Sequence, residues 1–223
     1  MQRIKLNMIY CNLKGGKMIK DYFDKIFCIN LDRRKDRWEE TVTELKVWGQ
    51  FDGVNRISAV DGNKIKNNSS PINNGELGLL ETHLKLIRNA KEKKYKNILL
   101  IEDDIEFTEE INNLEQYFNQ LPENWDMLWF GGNHNKHVGN QINLINDKII
   151  KCNNTYATHC IAINNSVYDL LINILSKKQK PVDVYYSDIQ KTNNCYSFHP
   201  SIAIQRPSFS DIQNVVQDNR WLF

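Results

Sequence analysis

Apolar and polar positions change period repeatedly along the chain, and each change marks an element. Residues 26 to 31, IFCINL, are a short apolar run, and Asp32 behind them offers an N-cap. Trp38, Val42, Leu45 and Trp48 then recur at helical spacing, with Gly49 as a fitting terminator. VNRISAV, 54 to 60, alternates as a second strand and closes on the Asp61-Gly62 turn. A polar loop runs to Asn74. From Gly75 onward Leu77, Leu80, Leu84 and Ile87 share one helical face. NILLI, 97 to 101, lacks polar alternation, which predicts a strand covered on both faces. Thr108 caps a helix carrying Ile111, Leu114, Phe118 and Leu121, stopped by Pro122. DMLWFGG, 126 to 132, reads as a fourth strand entering a glycine turn. His159 to Ile163 reads as a fifth, before a helix with Leu170, Leu171, Ile174 and Leu175. Strands alternating with helices predict an α/β fold, a layered sheet with helices on both faces and ligands beyond the carboxyl ends of its strands. Residues 1–24 read as an N-terminal extension and 25–223 as a single domain, closed by a tail from 205.

Composition narrows the functional classes. The chain has 223 residues, 41% of them hydrophobic, enough for one substantial core. Its formal charge of +2 comes from 29 basic and 27 acidic residues that are mostly interspersed, so no nucleic-acid partner is expected. The basic cluster Arg88, Lys91, Lys93, Lys94 and Lys96 sits where cations complement a helix macrodipole. Cys11, Cys28, Cys152, Cys160 and Cys195 are scattered without CxxC spacing, which indicates neither a disulfide framework nor a zinc knuckle. The amino-terminal residues contain no signal-peptide core and no membrane span, so a soluble, cytoplasmic protein is expected.

One stretch needs a special explanation. LLIEDDIEF, Leu99 to Phe107, ends a buried strand in Glu102, Asp103 and Asp104, where close like charges cost on the order of a few kcal/mol per pair at an effective dielectric near 20. Alternation in an extended segment would send Glu102 and Asp104 to one side and Asp103 to the other. A divalent cation held by the first two would offset the repulsion. Oxygen ligands favour magnesium or manganese, whose usual reason for being present is a diphosphate. A solvated turn, or acids capping the next helix, would explain the same residues without a metal.

FCINLDRRKDRW, SAVDG, GELGLLETH, LLIEDDIEF, DMLWFGG, PVD and a late SDI, in that order and spacing over roughly residues 25 to 212, resemble glycosyltransferase family 25. That family includes bacterial lipopolysaccharide sugar transferases and collagen galactosyltransferases. The resemblance implies a GT-A type nucleotide-sugar fold with a mixed, mostly parallel central sheet. It also implies a UDP-sugar donor, a divalent metal such as Mn²⁺ or Mg²⁺, and inversion at the anomeric carbon.

Residue by residue, the resemblance and the chemistry together give a candidate site. Asp104, with help from Glu102, would hold a metal that stabilises charge on the departing diphosphate. Asp103 would face ribose or donor sugar, or would support the loop backbone. Asn30 and Leu31 end the first strand, where the family places its nucleotide. Arg37 matches the family arginine and its guanidinium fork suits a phosphate. Alternatively Arg37 pairs with Glu40 or Glu44 on its own helix. Inversion needs a base to take the acceptor's proton, and Asp183 in PVD, which matches a family position, is the candidate, with Asp188 and Asp211 as rivals and a helix N-terminal acid as its ordinary reading. His199 would supply a late third metal ligand, as related GT-A folds do. His83 fits a family histidine, although Thr82 and Leu79 depart from the pattern, and its ordinary reading is packing. Trp125, Trp129 and Trp221 are stacking candidates that strands normally bury.

The expected function is transfer of a hexose, galactose or glucose, from a UDP-sugar to a hydroxyl of a glycan, lipid-linked or protein acceptor. The competing expectations are metal-assisted phosphoester hydrolysis, which would want a second metal cluster with additional Asp or His ligands, and an inactive relative that only binds a nucleotide sugar or glycan.

Overall fold

A computed structural model describes residues 17–135, 139, 141–213 and 215–220. Cys11 and Trp221 lie outside them. Β-strands and helices are numbered here in chain order. β1 (Lys25–Asn30), β2 (Val54–Ser58) and β3 (Asn97–Glu102) run parallel, β1 lying between the other two. The second half of the sheet adds β5 (Met127–Trp129), β6 (Asn143–Asn146), β7 (Ile149–Lys151), β8 (Cys160–Asn164) and β9 (Cys195–Phe198). The strand order is β2-β1-β3-β8-β5-β9-β7-β6, and β8 and β7 run against the direction shared by the other six strands. The expected mixed, mostly parallel sheet is therefore the one observed.

Why this sheet is buried on both faces follows from its sequence. In β3, Ile98, Leu99, Leu100 and Ile101 are wholly buried, and their side chains alternate between two separate apolar clusters. Ile98 and Leu100 pack under α2 (Asn74–Glu92), α4 (Tyr168–Leu175) and α5 (Val182–Asp188). Leu99 and Ile101 pack under α1 (Lys35–Val47) and α3 (Leu114–Gln120). α2 starts on a capping box in which the Asn73 side chain accepts from the Glu76 N–H at 2.9 Å and Glu76 answers to the Asn73 N–H at 3.0 Å. Gly78 of this helix lies so near the preceding loop that a Cβ there would stand 2.5 Å from the Val60 carbonyl oxygen. Only glycine lets the helix approach that wall.

Several expectations are corrected. Asp32 does not cap α1: Arg34 holds the cap position without a side-chain bond, while Asp32 accepts from Arg56 and Ser58 of β2. The buried face of α1 is not the Trp38–Val42 line but Arg37, Thr41, Leu45 and Trp48, because the helix lies over an acidic turn that needs polar partners. Thr108 caps a 3₁₀ turn, Glu109–Asn113, before α3 begins. Residues 17–24, read as extension, belong to the packed body. Ile19 and Phe23 are buried, and Asp24 accepts from the Lys96 N–H at 2.6 Å. Seven short strands escaped the sequence reading as elements, including β4 (Ile105–Phe107), β10 (Ala203–Gln205) and the tail hairpin β11 (Ser208–Ser210) with β12 (Val215–Gln217). Among the described residues no helix is long and apolar enough to cross a membrane.

Candidate active site

The carboxyl ends of β1, β2 and β3 meet at one edge, and register fixes who meets whom. Ile29 is opposite Glu102 and Asn30 is opposite Ser58, so the residue after Glu102 stands beside Asn30. The Asn30 amide donates to Asp103 Oδ2 at 2.6 Å and to the Arg34 carbonyl at 3.0 Å. Its carbonyl oxygen accepts from Arg56 Nε and Nη2 at 2.9 and 2.7 Å. The Asn30 side chain is thereby committed to holding the acidic turn and the β1–α1 loop.

The acids do not distribute as alternation alone predicts. The strand stops at Glu102, and Asp103 and Asp104 form a tight turn into β4. Arg37 Nη2 lies 2.5 Å from Asp103 Oδ1 and 2.9 Å from Asp104 Oδ2, so these two share one guanidinium. Glu102 points elsewhere and accepts from the Thr158 hydroxyl at 2.6 Å. The turn itself is held by its backbone. Thr41 Oγ1 donates to the Asp103 carbonyl at 2.8 Å, Arg206 Nη2 to the same oxygen at 3.0 Å, and the Arg206 N–H to the Asp104 carbonyl at 2.7 Å.

Burial and neighbouring charge together set how tightly these groups hold their protons. Burial pushes the Glu102 carboxyl above its ordinary range and Asp104 adds to the push, with Thr158 and Arg37 pulling the other way. Burial also raises Asp103, to about 6, against the attraction of Arg37. Burial alone would make Arg37 easier to deprotonate, yet the three carboxylates outweigh it and hold the guanidinium above its usual value.

Two cavities open at this edge. A cleft of about 150 Å³ is lined by Leu31, Arg33, Arg37, Asp103, Asp104 and Asp211 among others. A neighbouring cavity of about 320 Å³ is lined by Glu76, Tyr156, Thr158, Asp183 and tail residues. Glu102, Leu79, Ser210 and Ile212 line both. Asp183 stands at the start of α5, where Oδ1 accepts from the Val184 N–H at 2.9 Å and burial raises its carboxyl above the ordinary range.

The structure thus gathers Asn30, Leu31, Arg37, Glu102, Asp103 and Asp104 at one cleft and sets Asp183 across Glu102 from it. It does not bring His199 to them. His199 follows β9, two strands beyond β8 in the sheet order, its N–H donates to the Lys148 carbonyl at 2.9 Å, and it lines neither cavity. Of the rival bases, Asp188 pairs with Lys180 at 2.8 Å on the surface. Asp211 is held in an arginine cluster whose charge outweighs burial and keeps its carboxyl below the usual range. His83 is buried against the Tyr186 hydroxyl at 3.0 Å, a packing role, and Trp129 is core. Thr41, Thr158 and Arg206 escaped the sequence reading. Their contacts run through carbonyls or across the fold, and no motif signals that.

Asp104 Oδ1 is buried with no hydrogen-bond partner, and the donor set is all oxygen. Among the described residues no group of three or more His, Cys, Asp or Glu side chains is arranged to hold an ion alone. Two carboxylates with substrate phosphates and water completing the shell is the mode these residues fit, and it is the ordinary one for Mg²⁺-like ions.

An acid- and arginine-lined cleft beyond the carboxyl ends of such strands marks a ligand-binding α/β protein. The model of glycosyltransferase family 25 (LPS biosynthesis protein) matches residues 23–192, and the chain belongs to that family. The mixed central sheet covered by helices on both faces agrees with the architecture expected of it. Among its relatives are procollagen galactosyltransferase 2 of Mus musculus, 26% identical over 151 residues, and that of Homo sapiens, 27% identical over 131 residues. These matches cover 55% and 49% of this chain but 24% and 21% of the relatives, so the chain spans about a quarter of their length. A solved glycosyltransferase involved in the glycosylation of the major capsid of PBCV-1 is 10% identical with a TM-score of 0.40, covering 70% of this chain and 67% of that one.

Arg37→Met should leave Asp103 and Asp104 buried without a counter-charge and destabilise the protein by about 3–5 kcal/mol in urea unfolding, unless the acids protonate to escape. An unchanged midpoint at neutral pH would show that the guanidinium is dispensable. Glu102 and Asp103 are raised in the native state, so above the ordinary values of 4.5 and 3.8 respectively the folded protein keeps protons the unfolded chain has lost. Their contribution to stability therefore falls as pH rises, through about 6 for Asp103. Glu102→Gln should gain thermal stability relative to wild type as pH climbs from about 5 to about 7; a gap that narrows over that interval would contradict the raised carboxyl.

Proposed function

We propose that the protein is an inverting hexosyltransferase that moves galactose or glucose from a UDP-sugar to a hydroxyl of a glycan, lipid-linked or protein acceptor. The observation that carries this reading is the pair of cavities sharing Glu102: arginines and the acidic turn on one side, Asp183 on the other. The names of the procollagen galactosyltransferase relatives favour galactose.

Acceptor and donor then occupy neighbouring compartments. Asp183 takes the proton of the acceptor hydroxyl in the larger cavity, and its raised carboxyl makes it a stronger base than an exposed aspartate. The acceptor oxygen forms its bond to the anomeric carbon as the bond from that carbon to the diphosphate breaks on the opposite face. Arg33 and Arg37, which line the cleft, neutralise the departing diphosphate. Asp104, whose Oδ1 has no hydrogen-bond partner, would hold the divalent ion, and Glu102, turned to Thr158 but lining the same cleft, would assist; the chemistry of that ion when bound is further neutralisation of the leaving charge. Thr158 fixes the orientation of Glu102, and Asn30 and Thr41 fix the turn. Neither Asp188 nor Asp211 fits the base, since each is already paired with cations.

Purified protein incubated with Mn²⁺ and a panel of UDP-sugars should release UDP from one donor preferentially. Stabilisation by UDP without turnover on any acceptor class would instead mark an inactive binding relative. Asp104→Ala should lose Mn²⁺-dependent UDP binding while unfolding cooperatively, and undiminished binding would remove its assigned role. Asp183→Asn should lower kcat by about 10²–10⁴-fold with UDP affinity intact, the usual contribution of a positioned base. Retained turnover in that variant would send the search to another acid.

A further inference from the structure

The tail hairpin carries an acid into the middle of the arginine cleft. Asp211 follows β11, and its two carboxylate oxygens are taken by different guanidinium groups: Oδ1 by Arg33 Nη1 at 2.5 Å and Oδ2 by Arg34 Nη1. Arg37 Nη1 stands 3.8 Å from the same Oδ2. The three arginines come from one short stretch, DRRKDR, at the β1–α1 loop and the first turn of α1. Asp211 approaches them from a segment more than 170 residues away in sequence. Its side chain is only 13% exposed.

A carboxylate gripped by three guanidinium groups on its separate oxygens is the arrangement in which such groups hold a phosphate. The β1–α1 loop at the carboxyl end of a parallel strand is also where an α/β sheet receives a phosphorylated ligand. Adding a diphosphate beside a retained Asp211 would set new negative charge against an existing one in a site mostly shielded from water. The two anions compete for one cradle.

We propose that Asp211 is an internal occupant of the diphosphate site and an affinity-determining residue for the donor, vacating Arg33, Arg34 and Arg37 when a nucleoside diphosphate binds. This deepens the donor reading above and rests on it. The tail is anchored at its base by Arg206, which donates to the carbonyls of Asp103 and Ile105, and by β10 pairing with β4. Displacement therefore moves the tip and leaves the base in place. Ser210 and Ile212 flank Asp211 and line both cavities, so the exchange remodels the acceptor side as the donor enters.

The test is the direction of an affinity change. UDP, inorganic pyrophosphate and uridine are titrated by calorimetry into the full chain and into Asp211→Asn, with and without Mn²⁺. If the plugged state dominates, removing its charge should tighten UDP and pyrophosphate binding by about tenfold, because apparent affinity scales with the competent fraction. Uridine binding, which lacks the phosphates, should not change. An acid that merely fastened the tail would give weaker or equal UDP binding in the variant, and that result overturns the proposal while leaving the donor reading intact. Failure of the wild-type protein to bind UDP at all would overturn both. If Asp211→Asn does not fold, hydrogen exchange of the wild-type amides at 208–213 decides. Exchange that accelerates with pyrophosphate supports displacement, and exchange that slows or stays constant refutes it.

Discussion

One buried guanidinium allows the central sheet to end in acid. Arg37 lies between Asp103 and Asp104 on one side and Asp211 on the other, with little exposure to water for any of them. Arginine suits this position for a physical reason: its charge persists under every condition in which the protein folds, and its planar fork reaches several oxygens at once. A lysine would be a point charge able to satisfy one carboxylate well. The cost of bringing these ions out of water is met only if the geometry is complete, and the second layer supplies that completion. Asn30 takes the free oxygen of Asp103, and Thr41, one turn beyond Arg37 on α1, takes the Asp103 carbonyl.

The same arrangement leaves a defined deficit. Asp103, Asp104 and Asp211 are balanced by Arg33, Arg34 and Arg37, whereas Glu102 accepts from the Thr158 hydroxyl, Arg206 pairs with Glu40, and Asp104 retains a buried oxygen without a donor. Unsatisfied buried oxygens are uncommon in folded proteins and call for a cause. A site that gains a cation at its carboxylates and an anion at its arginines, as a metal–diphosphate pair would provide, removes the deficit without moving the scaffold. Burial raises the carboxyls of Glu102 and Asp103 at the same place, with Asp104 adding to the push on both.

Much of this was legible before any coordinates. Long apolar runs of single type, NILLI above all, gave correct strands because burial on both faces leaves no alternation to confuse them. The acids were found because three of them at the end of such a run violate ordinary patterning. What failed was local geometry at the places where the chain leaves regular structure. Alternation assigned Asp104 to the side of Glu102, but alternation holds only within a strand, and the strand ends at Glu102. Asp32 looked like a cap because it precedes a helix, yet β2 offered Arg56 and Ser58 as stronger partners. Thr158 and Arg206 were invisible for a different reason. Each acts across the fold, one through a single hydroxyl and the other through backbone carbonyls, and neither leaves a periodic trace.

The parity of β3 then explains how one strand end serves two compartments. Leu100 belongs to the cluster beneath α2 and α5, while Ile101 belongs to the cluster beneath α1. Glu102 continues the first series and so faces the side where α5 presents Asp183; Asp103 continues the second and meets Arg37. Asp104, freed from the strand by the turn, joins Asp103 instead of returning to Glu102. The division between the arginine-lined cleft and the Asp183 cavity is therefore a consequence of the two-residue repeat of an extended chain, stopped one residue before the turn. Lengthening β3 by a single residue would exchange the faces of its last two acids and separate the carboxylate at the cavity junction from the guanidinium that holds the turn.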